Sequence, residues 1–347
     1  MLTYDRLEAI LTRLPTLSLG VVGDLFLDQY WELDERLTEV SLETGLPAYQ
    51  VTSVRHCPGA AGTVLNNLVS LGVGRVLILS VIGNDGHGHE LSRALAASGV
   101  QLKYLLTSTD RPTPTYTKPM LQGESGPARE LNRLDIKCRV PLTAILQQEI
   151  LLRLPALDAE VDALLVSDQV SEVGCGVVTD TVRDHLQMLG TKQPDKLLLA
   201  DSRSRIGQFR QTWLKPNERE CLAAVGSGPL ESAVQVLVQR SARPVFCTRG
   251  ELGILLGRPP VTPNGAVCLR PIPGYPVSGP VDTVGAGDST SAGIAAAYAA
   301  GATLEEAAAF GCLVAAVTVQ QLGTTGVATP QQLRQQWRQA QGTTRVI

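Results

Sequence analysis

Short runs of apolar and β-branched residues recur along the chain, and each run ends in Gly, Asp or Ser. These runs predict β-strands at 17–24, 75–83, 161–168, 196–201 and 244–250. Segments with helical patterns lie between them and predict helices at 61–72, 87–98, 172–190 and 230–241. Nearly continuous apolar strands that alternate with helices indicate an α/β fold, in which helices cover both faces of a mainly parallel sheet.

Polar residues stand where several of these strands end. Asp24, Asp168, Asp201 and the segment 248–250 all follow an apolar run directly. Because ligands of open α/β sheets bind outside the carboxyl ends of the strands, we expect the functional site to include these positions.

Two segments, 29–56 and 103–136, interrupt the alternation. Both look extended and contain prolines, so they predict a small antiparallel sheet that lies over the strand ends as a lid. No internal repeat or flexible linker is evident, and we expect one domain over 1–347. An isolated small sheet needs its outer face and edges covered, which leads us to expect that the lids of two chains meet in a homodimer.

Composition excludes several functional classes. The 347 residues are 44% hydrophobic and 18% charged, as in ordinary globular proteins, and the net charge of −3 gives no basic field for nucleic acid. Seven cysteines without a CxxC pair indicate a reducing compartment. The N-terminal residues do not resemble a signal peptide, and the apolar stretches 292–300 and 311–319 are too short to span a bilayer. We therefore expect a cytoplasmic protein without a membrane or nucleic-acid partner.

The stretch "DTVGAGDSTSAG" at 282–293 carries the most chemistry in the sequence. Its glycines resemble a dinucleotide-binding fingerprint, but that fingerprint belongs to the first strand–helix turn of a fold, whereas this stretch lies late in the chain. No Gly-Lys pair occurs anywhere, so a Walker A motif is excluded. A purely structural alternative is a helix that is capped by Asp288 or Ser289 and ends at Gly301.

A phosphate-binding interpretation explains more of this stretch. The backbone N–H groups of Gly285, Ala286 and Gly287 would point outward at the positive end of the following helix and bind a phosphoryl group. A carboxylate beside an anion site is otherwise unfavourable, but it suits a general base that takes the proton from an acceptor hydroxyl. The sequence therefore predicts Asp288 as the general base.

The same stretch resembles the C-terminal signature of the ribokinase-like (PfkB) carbohydrate kinases, and the likeness extends over nearly the whole chain. The further matching motifs, in family order, are "VVGDLFLDQYW", "CPGAAGTVLNNLVSLG", "VIGNDGHGHEL", "KPNERE" and "TRGELG". Within the family, the likeness is greatest to the kinase half of the bifunctional heptose-phosphate kinase/adenylyltransferases. The resemblance implies a three-layer αβα fold with a β lid, dimerisation through the lid, and ATP-dependent phosphorylation of a sugar hydroxyl.

The resemblance also implies roles for individual residues of the acceptor site. The family's sugar-binding Asp falls on Asp28, and Asp24, four residues earlier after a glycine, could face the same polyol. The first signature implies sugar contacts from Gly59, Ala60, Thr63 and Asn67. Arg133, in the lid segment, is equally compatible with a solvated charge and with a substrate-phosphate contact.

The nucleotide side follows from the later motifs. Asn217 and Glu220 match the Asn-x-x-Glu motif, which implies that they organise Mg²⁺ and phosphate, with Glu220 acting indirectly on the metal. Thr248, Gly250 and Gly253 match the Thr-x-Gly-x-x-Gly motif on the nucleotide side. The resemblance further implies a monovalent cation such as K⁺ near Asp282 and the returning segment 323–326.

Several positions depart from the family pattern. The usual Gly-Gly-Ala-Ala-Asn of the first signature is Gly-Ala-Ala-Gly-Thr at 59–63, so Thr63 replaces a sugar-contacting Asn. The usual Lys after the "LLLAD" strand is absent, and Arg203 could contact the phosphates instead. We also expect no adenylyltransferase domain in this sequence. The identity of the sugar therefore does not follow from the resemblance.

Three functional hypotheses remain from the sequence. The first is an ATP-dependent kinase that acts on a sugar or a sugar phosphate of the heptose-phosphate type. The second is the same chemistry on a nucleoside or another small polyol, which the altered first signature leaves open. The third is a non-catalytic sugar or nucleotide sensor with the same fold. Retention of Asp288, Asn217 and Glu220 argues against a sensor, since a binding protein has no need of a general base.

Overall fold

The computed structural model describes residues 2–123, 126, 128–226, 228–260, 262 and 265–343. The single domain predicted over 1–347 also includes positions outside the described residues, namely 1, 124, 125, 127, 227, 261, 263, 264 and 344–347.

Helices and strands alternate along most of the described chain. The helices are α1 (Tyr4–Arg13), α2 (Ala61–Ser70), α3 (Gly86–Ala97), α4 (Ala144–Glu160), α5 (Asp180–Lys192), α6 (Glu218–Val225), α7 (Leu230–Ser241), α8 (Ala286–Ala299), α9 (Leu304–Thr318) and α10 (Pro330–Thr343). The strands are β1 (Ser18–Gly23), β2 (Leu25–Asp34), β3 (Glu39–Val40), β4 (Pro47–Ala48), β5 (Val51–Ala60), β6 (Arg75–Gly83), β7 (Gln101–Ser108), β8 (Thr115–Gln122), β9 (Arg129–Glu130), β10 (Leu134–Ile136), β11 (Ala163–Asp168), β12 (Leu197–Ser202), β13 (Trp213–Leu214), β14 (Val245–Thr248), β15 (Ile254–Arg258) and β16 (Cys268–Ile272).

The central sheet has the strand order β16-β15-β14-β13-β12-β11-β1-β6-β7. Neighbours from β14 to β7 are parallel, and β15 and β16 add an antiparallel edge. In the register of β1, Val21 lies opposite Leu165 on one side and Ile78 on the other. All five strands predicted from the apolar runs are present in this sheet, because a strand that is buried on both faces carries a continuous apolar run.

Two apolar clusters cover the two faces of the central sheet. One contains buried residues of α1, α2, α3, α8, α9 and α10, such as Leu65 and Phe310. The other contains buried residues of α4, α5, α6 and α7, such as Leu154 and Leu237. The protein is therefore a three-layer αβα structure, as predicted.

The lid is a second sheet with the order β10-β8-β2-β5, and β9 pairs with β8. Its pairs are antiparallel except for β2 and β8, which run parallel. The prediction that residues 103–108 belong to the lid is wrong, because they lie in β7 and pair in parallel with β6 of the central sheet. Within the predicted segment 103–136 the first proline is Pro112, which follows β7. The second lid segment therefore starts at β8.

The start of the predicted helix 172–190 is also wrong. The helix α5 begins at Asp180, and the Thr179 hydroxyl accepts a hydrogen bond from the Val182 N–H at 3.3 Å as its N-cap. The preceding residues form a loop that runs back across the end of β1, where it binds Asp24.

The apolar stretches at 292–300 and 311–319 lie in α8 and α9, most of whose residues are buried. Among the described residues, no single helix has both the length and the apolar composition to cross a membrane. One pair of helices, α6 and α7, passes that test together but is bent by 68°.

Candidate active site

Two cavities share a wall at the carboxyl ends of the central strands. The smaller has a volume of about 430 Å³ and a polar lining that includes Gln169, Asp201 and Asp288. The larger, of about 790 Å³, is lined mainly by apolar residues. Thr248 and Gly287 belong to both linings, so the cavities form one elongated site.

The helix α8 begins directly at this shared wall. Gly285 is its N-cap residue, with φ at +78°, and no side chain caps the helix. The structural alternative in which Asp288 or Ser289 caps α8 is therefore wrong, while Gly301, with φ at +86°, follows its last turn as expected. Asp288 lies in the first turn of the helix.

The free amides of this turn differ slightly from the prediction. The Ala286 N–H donates to the Thr283 carbonyl at 3.2 Å, and the Ser289 N–H donates to the Gly285 carbonyl at 2.9 Å. In the described part of the chain, no acceptor is present for the N–H groups of Gly285, Gly287 and Asp288. The Gly285 and Gly287 amides are therefore unpaired as predicted, and within the first turn of α8 the amides of Gly287 and Asp288, rather than that of Ala286, remain available to an anion.

Asp288 lines the smaller cavity, where it is partly exposed. Burial raises its pKa to about 7, and the nearby Asp201 carboxylate acts in the same direction. Lys215 and Arg203 oppose this effect without cancelling it. A carboxyl group with a pKa near neutrality is well suited to accept a proton from a hydroxyl.

Lys215 is a cation in this cavity that the sequence analysis did not single out. Its Nζ lies 3.0 Å from Asp201 Oδ2, which also accepts a hydrogen bond from the Ser291 hydroxyl at 3.2 Å. Burial lowers the pKa of Lys215, but Asp201, Glu220 and Asp288 outweigh it and raise the pKa above its ordinary value. The signal was its position two residues before Asn217 of the Asn-x-x-Glu motif, in "KPNERE".

Asn217 and Glu220 form a reciprocal cap at the start of α6. The Asn217 N–H donates to Glu220 Oε2 at 2.9 Å, and the Glu220 N–H donates to Asn217 Oδ1 at 2.8 Å. Asn217 also forms an isolated parallel β-bridge with Thr248. This bridge places two motifs that are 31 positions apart in sequence side by side, and both motifs line the smaller cavity.

Glu220 is half-buried, and its pKa is raised, first by burial and then by the nearby Asp201 carboxylate. Arg203 and Arg219 line the same cavity. Among the described residues, no group of three or more His, Cys, Asp or Glu side chains is arranged to hold a metal ion. With Glu220 as the carboxylate, the side chains of this cavity suit Mg²⁺ held by one carboxylate, water and phosphate oxygens better than a metal held by protein ligands alone.

The larger cavity provides a mainly apolar space next to Thr248. Its lining includes Tyr275, Val277 and the α9 residues Ala315 and Ala316. Gly253, with φ at +85°, packs its backbone so closely that a Cβ there would lie 2.2 Å from the Ile272 carbonyl oxygen. Gly250 lies in the same turn with φ at +57° and open space around it. The two glycines allow the chain to bend around the mouth of the cavity.

One face of the lid carries Asp28 and several cations. Asp28 Oδ2 lies 3.7 Å from Lys118 Nζ, and a Cβ on Gly59 would lie 3.0 Å from the same oxygen. Burial raises the pKa of Asp28, while Lys118 and Arg133 lower it. The structure thus brings Asp28 and Gly59 together as expected.

Arg133 pairs with Asp135 on the lid, with Nε 2.7 Å from Oδ1, and stacks over the Tyr116 ring at 4.5 Å. Burial raises the pKa of the Tyr116 hydroxyl, and the charge of Arg203 opposes this effect. The lid strand β5 runs directly into α2, and the Thr63 methyl group of α2 would lie 3.2 Å from a Cβ on Gly285, so this end of the lid adjoins the turn that precedes Asp288.

The position of Asp24 does not agree with the prediction that it faces a polyol. Its Oδ2 accepts hydrogen bonds from the N–H groups of Gln169 and Val170 at 2.8 and 2.9 Å, and its Oδ1 accepts one from Val177 at 2.7 Å. Its carboxylate is buried against the 169–177 loop. Asp24 therefore fixes this loop to the end of β1.

Asn67 is fully buried, and its Nδ2 donates to the carbonyl oxygens of Thr63 at 3.0 Å and of Gly326 at 3.3 Å. Its Oδ1 has no hydrogen-bond partner among the described residues. Its role as a sugar contact stays a prediction. Ala60 precedes α2 with φ at +54°, and Thr63 in the first turn of α2 points its methyl group towards Gly285.

Asp282 connects the two segments that were expected to lie together. Its Oδ1 accepts a hydrogen bond from the Val284 N–H and its Oδ2 one from the Gly323 N–H, both at 3.0 Å. The predicted proximity of the Asp282 loop and the 323–326 segment is therefore present, with both carboxylate oxygens engaged by backbone amides.

The chain is similar to several known proteins. Residues 191–332 match the family model described as pfkB family carbohydrate kinase. The bifunctional protein HldE of Pelobacter propionicus is 32% identical over 334 residues, which cover 93% of this chain and 64% of that protein. The chain thus spans somewhat less than two thirds of this curated relative.

Solved structures agree on the fold. The crystal structure of ribokinase from Thermotoga maritima has a TM-score of 0.67 at 21% identity, covering 93% of this chain and 99% of that one. The structure of Arabidopsis thaliana ribokinase complexed with ribose and ATP has a TM-score of 0.62 at 18% identity, covering 92% and 98%. At these identities the likeness shows the fold, and the chemistry must be argued from the site.

Proposed function

We propose that the chain is a carbohydrate kinase of the pfkB family, whose family model matches residues 191–332, and that it transfers the γ-phosphoryl group of ATP to a hydroxyl of a sugar or sugar phosphate. The observation that carries the proposal is Asp288. It is a carboxyl group whose pKa is raised to about 7, placed in the first turn of α8 beside two free backbone amides.

The two cavities fit the two ends of a nucleoside triphosphate. The larger, mainly apolar cavity would take the base, and the turn that contains Thr248, Gly250 and Gly253 would border the ribose. The phosphates would extend past Thr248 and Gly287 into the smaller cavity, where Arg203 and the α8 amides would bind them. The Arabidopsis ribokinase was solved with ATP, which supports the same cosubstrate here.

In the proposed reaction, Asp288 removes the proton from the acceptor hydroxyl while its oxygen attacks the γ-phosphorus. The bond from phosphorus to the β,γ-bridging oxygen breaks, ADP leaves with that oxygen, and Asp288 holds the proton. The amides of Gly287 and Asp288 stabilise the negative charge of the transferring group, because they are fixed before the reaction begins.

Two metal ions are part of the proposal. Glu220, positioned by Asn217, would hold Mg²⁺ through water next to the phosphates, where the ion would neutralise charge between the phosphate groups. A monovalent cation such as K⁺ would bind through backbone oxygens near Asp282 and the 323–326 segment, since the Asp282 carboxylate is engaged by amides.

The lid face would hold the acceptor. Asp28 would accept hydrogen bonds from the acceptor hydroxyls, with Gly59 leaving room for them, and Lys118 and Arg133 would favour an acceptor that carries a phosphate. The likeness to HldE supports a sugar phosphate of the heptose-phosphate type. A nucleoside or another polyol is the alternative that Thr63 leaves open.

We propose a homodimer in which the lid tips pack together. Val40, Leu42 and Leu46, in and around the β3–β4 ribbon, are strongly exposed for apolar residues. Packing of a second copy against this ribbon would remove that surface from water.

All seven cysteines are free, which supports a cytoplasmic location.

A coupled assay of ADP release tests the proposed function. The wild-type protein would be screened with MgATP against sugars, sugar phosphates and nucleosides, with ATP alone as the blank. We expect turnover with at least one sugar phosphate. Turnover only with nucleosides would favour the alternative acceptor, and no turnover above the blank with any acceptor would contradict the kinase assignment.

A further inference from the structure

A further cavity lies at the start of α5, outside the candidate active site. Its volume is about 260 Å³, and among the described residues it shares no lining residue with the two cavities of that site. Its walls come mainly from three parts of the chain, namely residues 141–142 before α4, residues of the segment 173–178 with the start of α5, and Arg205 after β12. The cavity is therefore an independent place in which a ligand could bind.

Two backbone amides at the start of α5 are free. The Thr179 hydroxyl, which caps this 13-residue helix, donates to Gln147 Oε1 of α4 at 2.8 Å. The N–H groups of Asp180 and Thr181, the first two of the helix, have no acceptor among the described residues. The positive end of the helix favours an anion there. Free amides are present at the start of most helices, however, so they do not mark a binding site by themselves.

The neighbouring Arg183 is a buried cation whose hydrogen bonds are incomplete. The residue is only 7% exposed, lines the cavity and lies over the Phe209 ring at 5.3 Å. Its Nη1 donates to Asp180 Oδ1 at 2.8 Å, whereas its Nε is buried without a partner among the described residues. A guanidinium group has five N–H donors, and a buried charge is unfavourable unless its donors are satisfied. Arg183 therefore has donors left for an oxyanion.

Arg205, in the same wall, shows how a purely structural guanidinium group is bound. Its Nε and Nη2 donate to the two carboxylate oxygens of Asp168 at 3.2 and 2.6 Å, and its Nη1 donates to the Ser171 carbonyl oxygen at 3.2 Å. Asp168 is fully buried, whereas the side chain of Asp180, the partner of Arg183, is 85% exposed. Because an exposed ion pair contributes little to stability, the Asp180 carboxylate can turn into water and leave Arg183 to another anion.

Apolar residues complete the cavity. Leu142 and Val178 line it, and Val173 lines it while 84% exposed. We propose that the cavity binds a small organic anion. Its carboxylate, sulfate or phosphate head would bind Arg183 and the free amides of α5, in competition with Asp180. Its apolar part would pack against Leu142 and Val173.

Ligand binding at this site would act on the 169–177 loop. Gly176 of this loop lines the cavity, and a Cβ on Gly176 would lie 2.9 Å from Asp24 Oδ1. Gln169 of the same loop lines the smaller cavity of the candidate active site. A bound anion would therefore hold a loop that connects the two sites, and slower amide hydrogen exchange of the loop would report this effect.

Titration of the wild-type protein with sodium sulfate and with sodium butyrate tests the proposal, with sodium chloride keeping the ionic strength constant. Calorimetry gives the dissociation constants, and hydrogen-exchange mass spectrometry locates the protected segments. Arg183→Met removes the cation. Asp180→Asn removes the competing charge, and Asp180→Pro also removes the amide, at the first helical position, where proline fits a helix. Arg153→Met is the matched control, because it removes an arginine that is paired with Glu149 within α4.

We expect saturable binding of at least one of the two anions, with slower exchange in the segment 169–181. Arg183→Met weakens this binding by about 10-fold or more, the effect of losing a charged donor. Asp180→Asn strengthens it by about threefold, since a competing charge is lost, and Asp180→Pro binds about fivefold more weakly than Asp180→Asn. Arg153→Met keeps the wild-type affinity. Tighter binding of sulfate indicates a doubly charged head, and tighter binding of butyrate indicates a carboxylate with an apolar part.

A lack of saturable binding of both anions would overturn the inference, and so would equal affinities of the wild type and Arg183→Met. Loss of binding in Arg203→Met together with wild-type affinity in Arg183→Met would place the anion at the α8 turn instead. If Arg183→Met does not fold, the two variants of the exposed Asp180 decide, and equal affinities of Asp180→Asn and Asp180→Pro would overturn the site. The titrations contain no nucleotide and no acceptor, so these outcomes do not depend on whether the protein is a kinase.

Discussion

The methyl group of Thr63 lies against the backbone of Gly285, so close that a Cβ on Gly285 would be 3.2 Å from Thr63 Cγ2. Thr63 is in the first turn of α2, and Gly285 caps α8. The two helix N-termini therefore meet at the glycine turn for which we propose phosphate binding. Gly285 is required there for two reasons, its left-handed φ of +78° and the lack of space for a side chain.

We predict that Gly285→Ala lowers both stability and activity. The left-handed conformation disfavours alanine by about 1–2 kcal/mol, and the contact with Thr63 adds to this loss. Displacement of the turn would also reduce kcat, because the amides of Gly287 and Asp288 would move. Urea denaturation and steady-state kinetics measure the two effects.

Gly301→Ala is the matched control, since Gly301 has φ at +86° at the other end of α8 with open space around it. It should lose stability but keep its kcat. In the double variant Thr63→Ser/Gly285→Ala, removal of the methyl group should restore part of the stability. Equal losses of kcat in the two glycine variants would contradict the role of the turn.

A second prediction concerns Asp24. Asparagine has one acceptor oxygen in place of two, so Asp24→Asn leaves at least one backbone N–H of the 169–177 loop without a partner. We expect the free energy of unfolding to fall by roughly 1–3 kcal/mol, the range for an unsatisfied buried donor, with the acceptor KM unchanged. A raised acceptor KM at wild-type stability would instead support direct contact of Asp24 with the ligand.

Asp28→Asn should have the opposite profile. The substitution keeps the size of the side chain and removes a charge that burial disfavours, so the unfolding temperature should stay near that of the wild type. Loss of a charged acceptor should raise the acceptor KM by about 10-fold or more without a change in ATP affinity. Asp34→Asn, at the end of the same strand and paired with Arg36, is the control and should leave the KM unchanged.

Comparison of Asp24 and Asp28 shows what the sequence could and could not predict. The alternation of apolar strands and helices predicts the layers of the fold, because burial on both faces is visible in local composition. Residues of two consecutive motifs, such as Asp28 and Gly59, also come together as expected. The three amides that bind Asp24 belong to residues about 150 positions away, and no local pattern indicates them.

Lys215 and β7 were missed for similar reasons. Asp201, the ion-pair partner of Lys215, lies near the end of a different strand, β12. Only the parallel sheet brings the two residues together. The strand β7 is an edge strand with one neighbour, β6, and its mixed polar composition resembles that of the lid. Edge strands carry a weaker apolar signal than central ones, which explains why its membership was assigned wrongly.

The raised pKa of Asp288 predicts the pH dependence of the reaction. A general base acts only when deprotonated, so kcat/KM should rise about tenfold per pH unit below pH 7 and reach a plateau above it. A pH series from about 5.5 to 9, with coupling enzymes in excess, would measure the rise and the plateau of kcat/KM. A flat profile across this range would show that no group with a pKa near 7 is required in its basic form.

Asp288→Asn tests the same carboxyl group by its removal. The variant keeps the shape of the turn and its amides but cannot accept a proton, so kcat should fall by about 10²–10⁴-fold. ATP affinity should change little or increase slightly, since a negative charge beside the phosphates is lost. Retention of more than about a tenth of wild-type kcat would exclude Asp288 as the general base.

For Asp288→Asn we also predict a change in stability. The folded protein binds a proton at Asp288 more tightly than the unfolded chain does, because the pKa is about 7 in the fold and near 4 in an unfolded carboxyl group. The stability contributed by the protonated group is therefore lost as the pH rises from about 4 to 7. Asp288→Asn removes this loss, so the nucleotide-free variant should be more stable than the wild type at pH 8, by an amount that shrinks towards pH 5. Urea denaturation at both pH values measures the difference, with Asp184→Asn, on the exposed side of α5, as the control for loss of an exposed charge. A variant that is less stable than the wild type at pH 8 would show that the Asp288 carboxylate is stabilised in the fold by Lys215 and Arg203 rather than destabilised by burial.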